Sequence, residues 1–502
     1  MPVKGLFISK SKFLAGLQCG KLLWHYYNAK DKFPPVDAST QAVFDQGHEV
    51  GQLAKRLFPN GIEVAEGTYR GFGKIERESW EALRCRRPAF EPGFRFGNAF
   101  ARADILDPVG KNAWDIVEVK SSTEVKDVNI YDMALQRYVY EGAGIDIHKC
   151  YILHVNNEYV RRGPIDPKEL FCRVDVTDRV SAFLPEVEEE LKQMIRTIGS
   201  KSCPEVPIGP HCKDPYECPL MERCWEFLPD DNIFTLYRMG SKGFDLLKKG
   251  VESIGDLPRG YKLTDNQQIQ VKCLRTGKPH CDSNELRAFL DGLEYPLFFL
   301  DFETVNTAIP LFDLLSPYEH LPFQYSLEII QSVGDEARHH GFLSDGSRDP
   351  RPEILQRLKR LLGKCGSIIA YNASFEKSAL RSATSAVDGY DDWYASVEPR
   401  IVDLLAPFRS FHYYHPAQRG SASIKAVYPA LTGRGYGGLA IVEGSLASLE
   451  YLRVTFGEVT AAERAKVRRQ LEEYCATDTR AMAGIVEAIR KLSGNAVAHP
   501  LR

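Results

Sequence analysis

Apolar positions along the chain fall into strand-like runs and helix-like periodicities, and polar residues stand at their ends. The run Tyr295-Pro-Leu-Phe-Phe-Leu300 has the length of a buried strand and is followed by Asp301 and Glu303. A second run, Ser367-Ile-Ile-Ala-Tyr371, leads into Asn372-Ala-Ser-Phe-Glu376, and a long helical pattern near the end of the chain carries Tyr474-Cys-Ala-Thr-Asp478. In the N-terminal half, Arg102-Ala-Asp104-Ile-Leu opens one strand of a hairpin turning through Pro108-Val-Gly110, and Trp114-Asp-Ile-Val-Glu118-Val-Lys120 is the returning strand. Ile130 to Tyr140 is predicted helical, which puts Gln136 and Tyr140 on one face. Between the halves, Leu236, Met239, Phe244, Leu246 and Leu247 give a helical pattern broken at Leu257-Pro258 and Gly260-Tyr261. The expected architecture is α/β, with two domains over residues 1–228 and 291–502 joined by a helical connector over 229–290.

The acidic positions suggest hydrolysis of phosphodiester bonds with two divalent cations. That chemistry needs hard oxygen ligands holding two Mg²⁺ or Mn²⁺ ions roughly 3.5–4 Å apart, one activating water and the other stabilising the leaving oxygen. On a strand, Asp301 and Glu303 share one face, so Asp301 can bridge two metals while Glu303 binds one. On a helix, Tyr474 and Asp478 are one turn apart, so Asp478 can complete the metal shell and Tyr474 can orient the attacking water.

Residues from about 291 to 490 resemble the DnaQ-like, or RNase T-like, 3′–5′ exonucleases of the DEDDy type, with an RNase H-like fold. The resemblance implies catalytic roles for Asp301, Glu303, Glu376, Tyr474 and Asp478. The second motif of that superfamily usually ends in Asp, whereas this chain has Glu376. Either the backbone there stands further off or another acid, such as Asp403, takes part.

The N-terminal set is independent. An Asp followed by Glu-x-Lys on adjacent strands lets two carboxylates bind a metal while the ammonium stabilises charge on a phosphate. The same pattern also occurs as a surface salt-bridge ladder. Asp104, Glu118, Lys120, Gln136 and Tyr140 resemble the PD-(D/E)xK nucleases of the RecB-like branch, with a restriction-endonuclease-like fold. That branch often adds a histidine metal ligand from an early helix; His48 is the candidate, with Glu49 as an alternative.

Of twelve cysteines, three lie in one loop as Cys212-x5-Cys218-x5-Cys224. No secretory leader or membrane-spanning run is legible, so a cytoplasmic, reducing setting without membrane association is expected, where clustered thiols bind metal. Cys19 is the best fourth ligand and Cys203 a rival. One upstream cysteine and three downstream resemble the iron–sulfur RecB-like nucleases of the AddB type and the CRISPR adaptation exonucleases, which implies a [4Fe-4S] cluster; zinc is the alternative for four thiolates. The remaining cysteines (Cys85, Cys150, Cys172, Cys273, Cys281, Cys365, Cys475) are expected to be small buried apolar residues.

Composition fits this picture without selecting a substrate. Hydrophobic content of 44% and charged content of 26% are those of a globular protein with ample cores. The net charge of −3 does not advertise nucleic-acid binding, but acidic nuclease sites carry negative charge until cations load them. Arg84-Cys-Arg86-Arg87, Arg161-Arg162 and the stretch from Arg464 to Arg469 are basic enough to meet phosphates. Gly420-Ser-Ala-Ser-Ile-Lys425 has the make-up of a loop feeding a phosphate onto a helix start, or of a plain Ser-capped helix. Leu246 to Leu257 suggests either a helix-hairpin-helix-like DNA contact or a simple connector.

Taken over nearly its whole length, the chain resembles a prokaryotic family that joins an iron–sulfur RecB-like nuclease domain to an RNase T-like exonuclease domain. The resemblance implies a metal-dependent nuclease on DNA: a 3′–5′ exonuclease on single strands in the C-terminal half, a second nuclease site in the N-terminal half, and a role in repair or defence. The competing hypotheses are a nucleic-acid-binding scaffold without catalysis and an exonuclease acting on RNA.

Overall fold

The computed structural model describes residues 6–64 and 72–494. The chain forms two compact units, Met1–Phe227 with Thr307–Tyr318, and Leu228–Asn306 with Glu319–Arg502. Both are mixed α/β. Among the described residues no helix is long and apolar enough to cross a membrane.

In the first unit a six-stranded sheet runs in the order Ile62–Glu63, Ala89–Phe90, Ile105–Val109, Ala113–Lys120, Ile147–Val155, Phe171–Asp175. The expected hairpin is its centre, with Val109 opposite Ala113 and Ile105 opposite Val117. The next pair, Ala113–Lys120 with Ile147–Val155, is parallel. A parallel pair needs a crossover, which the helix Asp127–Gly142 supplies. That helix buries Ile130, Met133, Ala134 and Val139, and also Asp132, Gln136 and Tyr140. A smaller sheet pairs Ile8–Ser9 with Ala99–Arg102 and Gly93–Phe96, and the helix Lys10–Gln18 leaves directly from its first strand.

The segment Thr307–Tyr318 belongs to this first unit, although the residues on either side of it belong to the second. Arg161 holds it: the guanidinium donates to the carbonyls of Pro310 (2.8 Å) and Leu311 (2.6 Å), and the backbone N–H of Arg161 donates to Leu315 (3.0 Å). Ala308 is buried with Val50, Leu53 and Val117.

In the second unit the sheet order is Arg338–Leu343, Leu321–Ile330, Leu297–Val305, Ile368–Ala370, Ile401–Asp403. Leu297–Val305 is central, antiparallel to Leu321–Ile330 and parallel to Ile368–Ala370. Its first four residues, 297–300, are all apolar because both faces of the strand are covered there. Phe298, Leu300 and Phe302 enter the core built with the helices Arg351–Leu361 and Ala373–Ser385. Leu297 and Phe299 point the other way, into the core that holds Met482, Ile485 and Ile489 of the 32-residue helix Ala461–Leu492. Side-chain alternation therefore assigns Asp301 and Glu303 to the face on which that long helix lies.

Residues 229–290 are expected to be a connector, and they fold instead as part of the second unit. Ile233, Leu236, Met239, Leu246, Val251 and Val271 form a small core of their own. His280–Cys281 pairs with Tyr413–Tyr414 as a two-stranded sheet. Gly420 packs its Cα against the Thr235 carbonyl, where a Cβ would come within 2.1 Å, and its φ of +79° is a left-handed value natural to glycine. The Gly420–Lys425 loop thus meets other backbone, and Ser423 sits at the N-cap of the helix Ile424–Thr432 without a side-chain capping bond.

Asp403, an expected alternative acid, is occupied by backbone. Its Oδ1 accepts from the N–H groups of Asn372 (3.0 Å), Ala373 (3.3 Å) and Leu405 (3.0 Å). It thereby fixes the turn in which Asn372 takes a φ of +74° at the start of the helix bearing Glu376. Asp403→Ala is predicted to cost about 1–2 kcal/mol of stability in denaturant unfolding, the scale of a lost helix cap.

Candidate functional site

The second unit assembles an acidic cluster from three elements. Asp301 and Glu303 come from the central strand, Glu376 from the first turn of the helix Ala373–Ser385, and Asp478 from the helix Ala461–Leu492. Glu303, Glu376 and Asp478 are buried, and Asp301 is half-buried. The Sγ of Cys475 lies 3.5 Å from Asp301 Oδ2, and ligand atoms of Asp301, Glu303 and Cys475 fall within 4.8 Å of one another. Glu376 Oε2 is buried with no hydrogen-bond partner. Next to Glu303 the chain has Gly444, at the start of the helix Gly444–Phe456, where a Cβ would stand 3.4 Å from Glu303 Oε2.

Burial sets the electrostatics, and like charge adds to it at Asp301, Glu303 and Glu376. Burial, followed by the charges of Asp478, Glu303 and Glu376, holds the Asp301 carboxyl well above the usual carboxylate range. Burial and Asp478 push Glu303 up to about 8, with Lys425 opposing. Glu376 is likewise raised to about 8, mainly by burial and then by Asp403 and Glu303. Burial also raises Asp478, against hydrogen bonds from Tyr436 and Tyr474. The Tyr436 hydroxyl donates to Asp478 Oδ1 (2.7 Å), and Lys425 Nζ donates to the Tyr474 hydroxyl (3.3 Å). Such a group of acids must hold protons or a cation.

All five residues predicted from the sequence in this half therefore meet in one place. Glu376 is among them, entering from the first turn of its helix. Sequence reasoning missed Cys475 and Tyr436. Cys475 was expected to be inert core, and its position three residues before Asp478 is the signal that puts it on the same helix face. Tyr436 stands in Gly433-Arg-Gly-Tyr-Gly-Gly438, which carries no periodicity.

The first unit gathers a different cluster. Asp104 Oδ2 accepts from the Val119 N–H (2.7 Å), which ties it to the strand bearing Glu118 and Lys120. Lys120 Nζ donates to Glu118 Oε1 (2.9 Å) and Asp132 Oδ2 (2.8 Å). Gln136 Nε2 donates to Glu118 Oε2 (2.8 Å). Tyr140 is set back from the acids: its hydroxyl donates to the Pro92 carbonyl and accepts from the Ala103 N–H, so it positions the Asp104 segment. Burial and Glu118 raise Asp104 to about 7, whereas Lys10 and Lys120 outweigh burial and hold Glu118 below its ordinary range. Lys10 and Asp132 were not foreseen, although Asp132 lies one helical turn before Gln136. His48 is exposed on the helix Ala38–Ala54 and makes no ion pair with these acids among the described residues.

Cys19, Cys212, Cys218 and Cys224 line one small cavity with Leu22, Ile208 and Leu220. Cys19 joins the helices Lys10–Gln18 and Gly20–Asn28, and the Cys218 N–H donates to the Cys212 carbonyl (2.9 Å), closing the loop. Among the described residues no three of these sulfurs lie within 4.8 Å of one another. Cys203 is not part of the cavity lining and contacts His25 Nδ1 at 3.7 Å. All twelve cysteines are free. Of those expected to be buried, Cys85, Cys281 and Cys365 are exposed and Cys172 is half-buried; Cys150 and Cys273 are in apolar cores, and Cys475 is buried beside the acids.

Several basic residues offered as phosphate contacts are engaged by backbone instead. Arg86 donates to the carbonyls of Val109, Gly110 and Ala113 and stands 4.4 Å from the Trp114 ring. Arg464 donates to Val454, and Arg468 to Leu343 and Ser344.

Glu303 and Glu376 bind protons more tightly when folded (about 8) than at their ordinary value of 4.5. They add stability that is fully present below the ordinary value and is lost as pH rises through about 8. The melting temperature of metal-free protein is predicted to fall between about pH 4.5 and pH 8 and to level off above that, with a smaller fall in Glu303→Gln and Glu376→Gln. Mn²⁺ should raise it more at the higher pH. An unchanged pH slope in both variants would contradict this assignment.

The family described as Domain of unknown function (DUF2779) matches residues 298–423, about a quarter of the chain. The matched stretch takes in Asp301, Glu303 and Glu376 and stops before Tyr474 and Asp478. No curated protein matches the chain.

Proposed function

We propose that the chain is a metal-dependent nuclease whose second unit is a DEDDy-type 3′–5′ exonuclease of RNase H-like fold, acting on single-stranded DNA ahead of RNA. The observation that carries this reading is the gathering of the Asp301 and Glu303 carboxylates, from one strand, with Glu376 and Asp478, from two helices, in a largely buried place where burial raises the proton affinity of all four. The donor set fits hard divalent cations: carboxylate oxygens, one of them buried without a partner. Bound Mg²⁺ or Mn²⁺ would activate water and stabilise the leaving oxygen.

The chain's own residues have separable tasks. Asp301, Glu303, Glu376 and Asp478 are the groups that would hold the cations. Tyr474, which accepts from Lys425, orients the attacking water, and Lys425 brings positive charge beside the scissile phosphate. Tyr436 fixes the rotamer of Asp478 through its 2.7 Å hydrogen bond.

The first unit is read as a second nuclease site, of the RecB-like PD-(D/E)xK type, built on Asp104, Glu118 and Lys120. Gln136 orients Glu118, and Tyr140 sets the strand entry. Four thiols are a donor set that tetrahedral zinc also takes. Their gathering around one shared cavity supports a [4Fe-4S] cluster that ties Cys19 to the Cys212–Cys224 loop. A cytoplasmic setting and a role in repair or defence complete the proposal.

With Mg²⁺ or Mn²⁺ and 5′-labelled single-stranded DNA, the protein is predicted to shorten the strand from its 3′ end. Asp301→Ala and Asp478→Ala should each slow this by on the order of 10²–10³-fold or more, the scale of losing a group that stabilises developing charge. Glu118→Ala and Lys120→Ala should leave it intact. Trimming unaffected by either aspartate variant would remove the acidic cluster from the mechanism. Protein purified without oxygen should be brown and contain iron, and a colourless preparation with one zinc would overturn the cluster assignment. Cys212→Ala should speed amide exchange in the first unit more than in the second.

A further inference from the structure

The two acidic clusters differ in how their charge is balanced. In the second unit burial raises the proton affinity of the carboxylates, and neighbouring carboxylates raise Asp301, Glu303 and Glu376 further. In the first, Glu118 accepts from three donors: Lys10 Nζ (2.7 Å) and Lys120 Nζ (2.9 Å) on Oε1, and Gln136 Nε2 (2.8 Å) on Oε2. Lys10 Nζ also donates to the Arg102 carbonyl (2.9 Å) and stands 3.8 Å from Asp132 Oδ1. Two carboxylates and a backbone carbonyl around one positive charge are the oxygen surroundings of a bound divalent ion. Among the described residues no three ligand atoms in this cluster lie within 4.8 Å of one another, as those of Asp301, Glu303 and Cys475 do.

Lys10 is held there by a short rigid element. The helix Lys10–Gln18 buries Phe13 and Ala15, and its far end is pinned to the cysteine loop. Gln18 Nε2 donates to the carbonyls of His211 (2.8 Å) and Tyr216 (2.7 Å), and Cys19, the next residue, lines the thiol cavity. Nine helical residues span about 13.5 Å, so one helix carries the ammonium at one end and leads into a thiol at the other.

We propose that Lys10 is a tethered cation occupying the metal position of the first unit, so that a divalent ion enters this site only by displacing its ammonium. The proposal rests on reading Glu118, which accepts from Lys10, as a metal ligand. Lys10 acts through Glu118 and is a positioning residue. Because its helix ends on the cysteine loop, the integrity of that loop sets how firmly the ammonium is held.

The test uses the full chain carrying Asp301→Asn and Asp478→Asn, so that the second unit's site does not report. Mn²⁺ is titrated by the electron paramagnetic resonance of the free ion, and binding is assigned to the first unit where Glu118→Gln abolishes it. Lys10→Met should tighten that binding by about tenfold or more, and Lys10→Arg, which keeps the charge, should leave it as it was. In the chain that retains Lys10, amine acylation read by mass spectrometry should find Lys10 protected without metal and labelled as Mn²⁺ saturates the site. That second measurement stands even where Lys10→Met does not fold. Glu118-dependent binding that Lys10→Met leaves unchanged or weakens, or Lys10 protected at saturating Mn²⁺, overturns the proposal and leaves the metal reading in place. No Glu118-dependent Mn²⁺ binding in any of these chains overturns both.

Discussion

Like charge crowded into a dry space is the constraint on which the second unit is organised. Asp301, Glu303, Glu376 and Asp478 arrive from a strand and two helices; burial makes all four harder to ionise, and neighbouring carboxylates add to this at Asp301, Glu303 and Glu376. A fold that brings buried acids together in this way sacrifices stability near neutral pH unless protons or cations neutralise them. The surrounding structure keeps them in place: alternation along the central strand directs Asp301 and Glu303 to one face, the long helix covers that face, and Asp403 fixes the turn that delivers Glu376.

The first unit solves the same problem with its own side chains. Lys10, Lys120 and Gln136 surround Glu118, and Asp132 shares both ammonium groups. Two sites of similar composition thus have opposite demands. One is short of positive charge and the other is supplied with it, and under the proposed function they would differ in how readily each takes up a divalent ion. Under the proposed displacement of Lys10, the helix Lys10–Gln18 would give the cysteine loop a bearing on metal entry as well as on stability.

Much of this was legible in the sequence where one local rule sufficed. The strand ending in Asp301 and Glu303 follows from an apolar run, the Tyr474 and Asp478 pair from helical spacing, and the hairpin carrying Glu118 and Lys120 from its turn. What was not legible depends on partners distant in the chain. Lys10 looks like one of many surface lysines until Glu118, 108 positions away, is folded against it. Arg86, Arg161 and Arg468 read as phosphate contacts because nothing local reveals the carbonyls that take up their donors. Residues 229–290 read as a connector because their strand partner, Tyr413–Tyr414, is more than a hundred positions downstream. Cys475 passed for core because burial alone does not say what a thiol is buried against.

Diffraction at the manganese absorption edge from crystals grown with Mn²⁺ addresses the central claim most directly. The account predicts anomalous density in the second unit within about 2.0–2.3 Å of carboxylate oxygens of Asp301 and at least one of Glu303, Glu376 and Asp478. Full-length protein with ordered carboxylates and no anomalous density among them would contradict it.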